Sequence, residues 1–524
     1  MNYAALFRAT LPETALEIAA LLVIVIDLGF LRRTAVQTRI AIAALVGIVG
    51  CAAATWGVYA AGWAGFSAGS DLLLAAGGSA AVAQIAILVL TALTLLLLID
   101  SEFTRNPGEY IAVVLMAAAG GLIISAAQDL LVIFVGLELL SLGLYILTAF
   151  AKKSEKSAEA AMKYYLFGGM SAAFLLFGFS YFYGLTGSTN LGEIQDVIAQ
   201  SGPNLLLYVA WILVVAGLGF KLAAAPFHFW APDTYEGAPA PAAAFIASVS
   251  KVASFALLLT IASHWLTLQM GAFDLSANEL ARLLHQYDQT WTSLAAILLF
   301  VAAGSMVVGN LAALAQASVR RLLAYSAIAH AGYILLGVAT LPHYSATVED
   351  FGSVMARLSS VYVSGNAVLY YILTYGLTTI GAFGVVGVVE RATGSDKLDS
   401  FLGLHKRNPL LAAVLLVFFL SLAGIPPLVG FWAKFNLFAA VLAIGAGPIP
   451  FALVALAIAF SAVSLYYYLQ VLKRAYVMPA DDESPIKAHP VTLVVLLVIA
   501  AAVVVMGCFP ALLQSWIASF YPAM

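Results

Sequence analysis

Charged side chains are scarce in this chain of 524 residues. Asp, Glu, Lys and Arg together make up 9% of it, whereas hydrophobic residues make up 63%. The mean hydropathy is +1.01, while a soluble domain normally has about a quarter of its residues charged. This composition excludes an ordinary soluble protein and indicates a polytopic integral membrane protein.

Cysteines and paired histidines are also lacking. The two cysteines, Cys51 and Cys508, are far apart and have no CxxC spacing, which gives no support for an iron–sulfur cluster or a disulfide framework. The seven histidines form no HxxxH or HExxH pair, which argues against zinc, and there is neither a P-loop nor a strand-borne GxGxxG. We therefore expect no metal, cofactor or nucleotide site in this chain.

Long apolar runs dominate what is present. A membrane-spanning helix needs about 20 mostly apolar residues, and on that rule the sequence has fourteen candidate spans. They lie near residues 14–32, 40–62, 82–100, 109–126, 129–150, 163–184, 205–225, 240–263, 292–312, 322–341, 361–389, 409–441, 450–472 and 490–512. The two widest gaps, 185–204 and 264–291, are polar connectors, too short for a soluble domain. The predicted fold is an all-α polytopic membrane protein.

The basic residues give an independent check on this count. With the N-terminus outside, the inward loops hold 17 lysines and arginines and the outward side holds three, which is the asymmetry that the positive-inside rule describes. One missed or invented helix would scramble this pattern. The remaining basic residues, Lys221, Lys251 and Lys434, are all lysines inside spans.

Two of these lysines accompany helix breakers. Lys221 lies in "GLGFKLAAAPFHFW", five residues before Pro226, and Lys434 follows the "GIPP" at residues 424–427. Proline removes a backbone donor, and at membrane depth this is tolerated where the exposed backbone is buried in protein or lines a wet cavity. The breaks fall in spans seven and twelve. Because that offset is odd, the two helices cross the membrane in opposite directions, as in an inverted repeat with functional sites at the breaks.

We therefore predict two inverted five-helix repeats, spans 4–8 and 9–13, each containing one broken helix. This division depends on the matched breaks and lysines, because sequence similarity between the halves is slight. The predicted organisation is 1–105 for helices 1–3, 106–265 for the first repeat, 266–475 for the second repeat and 476–524 for the last helix.

The charges inside the spans are the candidate functional residues. A charge at a span centre costs at least about 2.5 kcal/mol on insertion scales, so it is functional by default. Lys251 lies among small residues in "AAAFIASVSKVASFALLL", and Glu138 is the only glutamate far from either end of its span. Bringing a carboxylate and a lysine together favours both charged forms, and separating them favours both neutral forms. We predict that Glu138, Lys221, Lys251 and Lys434 transfer protons.

Two histidines are weaker candidates for the same path. His228, in the "PFHFW" after the first break, and His330, in "SAIAHAGYIL", lie near the lysines in sequence or near a span centre. The ordinary pKa of histidine suits a proton relay, although a hydrogen-bonded packing role is an equal alternative. The lysines likewise have a structural alternative, in which fixed ion pairs hold the helices in place.

Several stretches carry a resemblance to a known family. They are "FVGLELLSLGLYILTAF", "SAEAAMKYYLFG", "GLGFKLAAAPFHFWAPDTYEGAPAP", "SVSKVA", "SAIAHAGYILLG" and "SLAGIPPLVGFWAKF". They resemble the antiporter-like membrane subunits of respiratory complex I, the proton-pumping NADH–quinone oxidoreductase. The resemblance implies that Glu138 and Lys221 form the pair of the first half-channel, that Lys251 connects the halves, and that Lys434 is the exit-side lysine.

The resemblance also implies the molecular context. Such a subunit belongs to an oxidoreductase but has no redox active site, so NADH, FMN, iron–sulfur clusters and quinone are expected in partner subunits. The related subunit M has glutamate at the position of Lys434. Subunit L continues beyond the fourteenth span, whereas this chain ends soon after it. The pattern is therefore most like subunit N. The expected partners are the neighbouring subunits M and K and lipids, with no nucleic acid, in a bacterial cell inner membrane. A subunit of a multisubunit cation/proton antiporter or of a ferredoxin-dependent plastoquinone reductase is the alternative.

Overall fold

The computed structural model describes residues 9–63, 73–75, 77–101, 103–201, 204–264, 277–340, 351–444, 448–480 and 482–520. Within these ranges the chain has three isolated β-bridges, no strand and a nearly continuous series of helices. In chain order they are α1 (Leu11–Gly29), α2 (Val36–Trp63), α3 (Gly78–Leu98), α4 (Pro107–Ala126), α5 (Leu130–Thr148), α6 (Glu155–Thr186), α7 (Leu191–Ser201), α8 (Leu205–Lys221), α9 (Trp230–Gly237), α10 (Ala240–Phe245), α11 (Lys251–His264), α12 (Ala277–Ala313), α13 (Val319–Thr340), α14 (Phe351–Thr393), α15 (Leu404–Arg407), α16 (Pro409–Ala423), α17 (Val429–Ile444), α18 (Pro448–Tyr476), α19 (Pro490–Cys508) and α20 (Pro510–Ala518). A π-helical turn, Ile246–Ser250, joins α10 to α11.

The fourteen predicted spans all correspond to helices in the described part of the chain. Eleven are single helices long and apolar enough to cross a membrane, counting α10, the π turn and α11 as one. The other three are α1, which carries three acidic residues, the short apolar helix α8, which ends at the first break, and the broken pair α16–α17. The predicted all-α polytopic fold is therefore confirmed.

The first polar connector is more helical than predicted. Residues 185–204 contain α7, in which Leu191, Ile194 and Ile198 are buried. Their spacing of three and four residues places them on one face of the helix. A short amphipathic helix has no long apolar run, and this is why a span search misses it.

Several helices also extend beyond the predicted spans. The second connector, predicted at 264–291, contains the start of α12, while residues 265–276 lie outside the described ranges. The helix α14 has 43 residues against a predicted span of 361–389. The last predicted span, 490–512, is divided between α19 and α20 near Phe509. An apolar window detects the part of a helix suited to lipid, whereas the backbone hydrogen bonds continue through polar residues.

Matched local features support the inverted repeat. The residue before α5, Asp129, forms an isolated β-bridge with Asn190, and the residue before α13, Ser318, forms one with Lys397. Each bridge pairs the residue that precedes one span with the connector that follows the next span. The broken helices follow in both halves. We refer to α4–α11 as the first bundle and to α12–α18 as the second, and the boundaries of the two repeats remain a prediction.

Local chemistry sets the ends of these helices. Asp129 caps α5, because its carboxylate accepts from Leu131 N at 2.8 Å. Asn408 caps α16 by accepting from Leu411 N at 3.0 Å. The same helix ends at Gly424, whose φ of 88° lies in the left-handed region that favours glycine.

The centre of the molecule is formed by the span that contains α10 and α11 and by α13. Nearly every residue of these two spans is buried by other helices, whereas most of α18 faces outward. Close approach of α12 and α13 requires a glycine, since a Cβ at Gly332 would lie 2.7 Å from Ala302 O. The most buried helices are also those that carry Lys251 and His330.

Candidate proton-translocation site

Lys221 is the last residue of α8 and is 7% exposed. Its Nζ donates a hydrogen bond to Ser141 Oγ on α5 at 2.5 Å. The rings of Phe220 and Tyr145 lie 5.6 Å and 6.0 Å from the same nitrogen, where a cation can interact with an aromatic face. The first broken helix therefore presents its lysine to α5, as the sequence predicted.

Glu138 lies one helical turn before Ser141 and is only partly buried. It is close enough to act electrostatically on Lys221. However, the two described side chains form no ion pair within 4.0 Å, and the hydroxyl of Ser141 is the direct partner of the lysine. The structure thus brings the predicted pair into the same neighbourhood without direct contact.

Lys251 is the first residue of α11, directly after the π-helical turn, and is 3% exposed. Such turns are frequent at functional sites. Its Nζ donates to Ala327 O on α13 at 2.7 Å and lies 5.9 Å from the ring centre of Tyr375 on α14. Because α13 and α14 belong to the second bundle, Lys251 joins the two halves.

Lys434 lies in α17, after the second break, and is 5% exposed. Its Nζ donates to Leu422 O at 3.1 Å, Ala423 O at 2.9 Å and Ser461 Oγ at 2.8 Å. The two carbonyls are at the C-terminal end of α16, where the last carbonyl groups of a helix have no hydrogen-bond donor within the helix. Tyr333 adds an aromatic face 5.4 Å from the nitrogen.

The three lysines differ in how completely their donors are satisfied. An ammonium group has three N–H donors. Lys434 has three acceptors, whereas Lys221 and Lys251 have one each among the described residues. A buried charge is costly unless it is hydrogen-bonded. The site at Lys434 is therefore built for an ammonium, and the other two sites require less reorganisation to hold a neutral amine.

His330 lies between Lys251 and Lys434. It is 4% exposed, its Nδ1 is 2.8 Å from Tyr371 Oη, and the ring lies close to the backbone of Leu422, although Nε2 makes no well-aligned hydrogen bond to any described residue. The imidazole interacts electrostatically with both lysines. Together with Tyr371 and Tyr375 it lines a small cavity that reaches the second break at Leu422. The position suits the predicted relay role, which remains a prediction.

His228 lies in the first break, between α8 and α9. It is 7% exposed, its ring stacks on that of Phe229 at 4.5 Å, and its Nδ1 has no hydrogen-bond partner. None of the recorded hydrogen bonds in the described ranges joins it to Lys221 or Lys251. The structure therefore places this candidate beside the break but not in contact with the lysines.

The sequence analysis missed several groups that complete these sites. Ser141 follows Glu138 by three residues, so its position on the same helical face could have indicated it. Ser461 on α18 and Tyr371 on α14 reach their partners through contacts between distant helices. No sequence pattern marks such residues, because the contacts depend on how the spans pack.

An ion-pair network on the inner side was also missed. Asp233 accepts from Lys163 Nζ at 2.7 Å and from Arg321 Nη1 at 2.6 Å. Glu236 accepts from Lys156 Nζ and from the same Arg321 nitrogen, both at 3.1 Å. Partial burial raises the pKa of each carboxyl, but the hydrogen bonds outweigh it, and the net result is a lowered pKa. The network links α6 and α9 of the first bundle to α13 of the second.

These features define the class of protein. The chain has two inverted bundles, each with a broken helix and a buried lysine, and a third lysine lies between them. This arrangement is typical of membrane transport proteins with inverted repeats. The family described as "NADH:quinone oxidoreductase/Mrp antiporter, TM" matches residues 127–273 and 266–461. The chain belongs to this family, as an antiporter-like membrane subunit of NADH–quinone oxidoreductase of the subunit N type.

Similarity to curated relatives extends over the whole chain. NADH-quinone oxidoreductase subunit N 2 of Acidobacterium capsulatum is 46% identical, with 99% of each chain covered. NADH-quinone oxidoreductase subunit N 1 of Roseiflexus castenholzii is 39% identical over 82% of this chain and 76% of the relative. These relatives are named as subunits of an oxidoreductase, so the chain is a subunit of that enzyme.

Solved structures show the same fold. A chain of respiratory complex I from Thermus thermophilus with bound aureothin has a TM-score of 0.74 at 31% identity, covering 96% of this chain and 98% of its own. A chain of the Mrp complex from Dietzia has a TM-score of 0.73 at 21% identity, covering 99% and 97%, and shows similarity of fold alone. The chain is therefore a subunit of a multisubunit membrane complex.

Proposed function

We propose that this chain translocates protons within NADH–quinone oxidoreductase, along Glu138, Lys221, Lys251 and Lys434, and that redox chemistry in other subunits drives the movement. The observation that carries the proposal is the placement of three buried lysines, one at each broken helix and one between the bundles. Charges in such places are costly and mark ion pathways.

In the first bundle, the protonation state of Lys221 depends on Ser141 and Glu138. Ser141 Oγ is its one hydrogen-bond partner among the described residues, and that hydroxyl itself donates to Leu137 O at 2.5 Å. Approach of the Glu138 carboxylate stabilises the ammonium, and withdrawal of the carboxylate favours the neutral amine and release of a proton. The hydroxyl of Ser141 holds the lysine in place in both states.

Transfer between the bundles takes place at Lys251. Its amine reaches Ala327 O on α13, and His330 follows one turn later on the same helix. Tyr371 is the partner of Nδ1, and the imidazole also lies close to the backbone of Leu422, so Nε2 can accept or donate a proton at the second break. The imidazole can therefore pass a proton between Lys251 and the cavity beside the second break.

In the second bundle, Lys434 holds the proton until its acceptors move. The carbonyls of Leu422 and Ala423 belong to the half-helix α16, whereas the lysine belongs to α17. A relative movement of the two half-helices therefore changes the number of acceptors at the ammonium. Fewer acceptors favour the neutral amine, and the proton leaves toward the outer side.

The proposal extends to the partners and location. NADH, FMN, iron–sulfur clusters and quinone are assigned to partner subunits, and no cofactor is assigned to this chain. Its neighbours in the complex are subunits M and K and lipids, in a bacterial cell inner membrane. Relatives named as subunit N at up to 46% identity support this assignment over a cation/proton antiporter, for which the similarity at 21% identity concerns the fold alone.

The central lysine provides the test of the proposal. Lys251→Met retains an unbranched side chain of similar length but cannot carry a proton, so the complex should assemble and lose most proton translocation per quinone reduced. Lys406→Met serves as the control, because Lys406 forms an exposed ion pair with Glu483 far from the path. Proton uptake should be measured in sealed vesicles at matched electron flux. Normal pumping by the assembled Lys251 variant would remove Lys251 from the path.

A further inference from the structure

A buried glutamate lies outside both inverted repeats. Glu13 is in the first turn of α1, the helix that precedes the two bundles, and is 4% exposed. It plays no part in the path through Glu138 and the three lysines. The helix α1 packs against α2 and α4, which places Glu13 inside the group of N-terminal spans.

The polar surroundings of Glu13 are poor for a carboxylate. The amide of Gln84 on α3 donates to Glu13 Oε1 at 3.3 Å and is shared with Leu122 O at 3.4 Å. The Glu13 carboxyl lies close to its own backbone N–H, but among the described residues Oε2 is buried without a well-aligned hydrogen-bond partner and no ion pair to Glu13 is found. Within the described part of the chain, the charged neighbour of Glu13 is Glu17, an exposed acid four residues later that repels a second negative charge.

A second acid on the same helix shows what a charged carboxylate requires here. Asp27 is 1% exposed, and Arg39 donates to both of its oxygens at 2.7 Å. Removing a charge from water without such a partner costs several kcal/mol, by order of magnitude. Among the described residues, neither an arginine nor a lysine pairs with Glu13 in this way. The geometry therefore fits a neutral carboxylic acid at Glu13.

The location of Glu13 relates it to the proton path. The first turn of α1 lies at the end of the span that the distribution of basic residues assigns to the outer side. Gly121 on α4 lies against both α11 and α3, because a Cβ at this position would be 3.5 Å from Ala253 and 3.6 Å from Ile87. Gln84 lies one turn before Ile87, toward the predicted outer side, so the Glu13 site lies about one turn outward of the level at which α3 and α4 meet Ala253, two residues after Lys251.

We propose that Glu13 is a proton-exchange site on the outer side, which holds a proton in this conformation and releases it during turnover. In release, the O–H bond of the acid breaks, the proton passes to water on the outer side, and the carboxylate remains until a proton from the interior replaces it. This inference depends on the proposed function of the chain in proton translocation.

The protonation state can be tested without measuring pumping. Glu13→Gln has the shape of the neutral acid and should assemble, and it should remove one carboxylic acid C=O stretching band from the infrared spectrum of the whole complex. Glu17→Gln is the matched control, since Glu17 is exposed to solvent one turn away on the same helix. We expect the control to leave that band in place. A spectrum unchanged by Glu13→Gln would overturn the proposal, as would failure of Glu13→Gln to assemble, because a neutral isostere must fit a site built for a neutral acid.

The need for release is tested by proton translocation. If Glu13 must ionise during turnover, Glu13→Gln should lose pumping at matched electron flux, while Glu17→Gln should pump as the wild type does. Normal pumping by Glu13→Gln would show a fixed structural acid and overturn the exchange role. Failure of the function proposed above would appear instead as normal pumping in Lys251→Met, so the two results can be told apart.

Discussion

At the scale of the residue, the three buried lysines are distinguished by their acceptors. Within the described part of the chain, Lys434 has three oxygen partners, and Lys221 and Lys251 have one each. The number of acceptors determines how much of the desolvation of an ammonium is recovered. A lysine with one partner can change its protonation state at smaller cost, which is the property that a transfer site needs.

Substitution of Lys221 tests whether this residue serves as a fixed positive charge or as a group that exchanges a proton. Arginine retains a positive charge but cannot release a proton near neutral pH. We therefore expect Lys221→Arg to assemble, and to lose proton translocation almost as completely as Lys221→Ala. Quinone-reductase activity, proton uptake and assembly should be measured for both variants.

A fixed ion pair predicts the reverse result for these variants, with arginine tolerated and alanine disruptive. An arginine variant that still pumps with wild-type stoichiometry would contradict the exchange role of Lys221. The partner of this lysine in the structure is a neutral hydroxyl, at 2.5 Å, rather than a carboxylate. That arrangement already differs from a simple ion pair.

The residue scale also shows what a sequence can and cannot reveal about the site. The lysines were predictable, because a charge within an apolar run is conspicuous and costly. Ser141 was partly predictable, since it shares a helical face with Glu138. Ser461 was not, because it contacts Lys434 only through the packing of α18 against the second break. The pairing of Glu138 with Lys221 stays a prediction, and the sequence did not indicate that the hydroxyl of Ser141 contacts the lysine.

At the scale of the element, the two broken helices are held by different partners. In the first break, Ala225 N donates to Ser305 Oγ on α12 at 2.8 Å. The second break packs against α19, where a Cβ at Gly507 would lie 2.2 Å from Pro427 O, and the indole of Trp432 in α17 donates to Gly507 O at 2.8 Å. Backbone groups freed at membrane depth must be satisfied within the protein. The first break is therefore fixed to the opposite bundle, and the second to the last span.

The inner ion-pair network is a second connection between the bundles, and its strength can be measured. Arg321 is 29% exposed and Glu236 is 23% exposed, so their pair should contribute about 0.5–1 kcal/mol. We expect Arg321→Gln and Glu236→Gln each to lower the thermal stability of the complex slightly. The double variant should lose less than the sum of the two single variants. Additive losses in a thermal-inactivation assay would show that the pair is not coupled.

The sign of the pH effect at this network follows from the lowered pKa values of Asp233 and Glu236. Hydrogen bonds from the lysines and Arg321 outweigh the opposing effect of burial. Because each folded pKa lies below its usual value, the stabilisation is present above the usual carboxyl pKa and is lost as the pH falls through the lowered values. The coupling between Arg321 and Glu236 should accordingly persist at neutral pH and disappear in strong acid.

At the scale of the whole molecule, Lys251 and the ion-pair network around Arg321 join the two bundles. The sequence predicts the two bundles only from the matched helix breaks and lysines. The order of the spans could be predicted, since each needs one apolar run. The amphipathic helix α7 and the early start of α12 could not, because neither has an apolar run of membrane length. Contacts between bundles, such as Lys251 with Ala327, depend on packing across 76 positions of sequence separation.

The orientation of the whole chain is a further prediction, and it depends on the distribution of charge. Fourteen spans place both termini on one side, and the asymmetry of 17 basic residues against three assigns that side to the outside. A reporter that is active only on the outer side should therefore be active when fused after the last residue. The same reporter fused after Met478, beyond Lys473 and Arg474 at the end of α18, should be inactive, because only the last span separates the two positions. Activity in the second fusion and not in the first would invert the topology. Equal activity in both would mean that α19 does not cross the membrane.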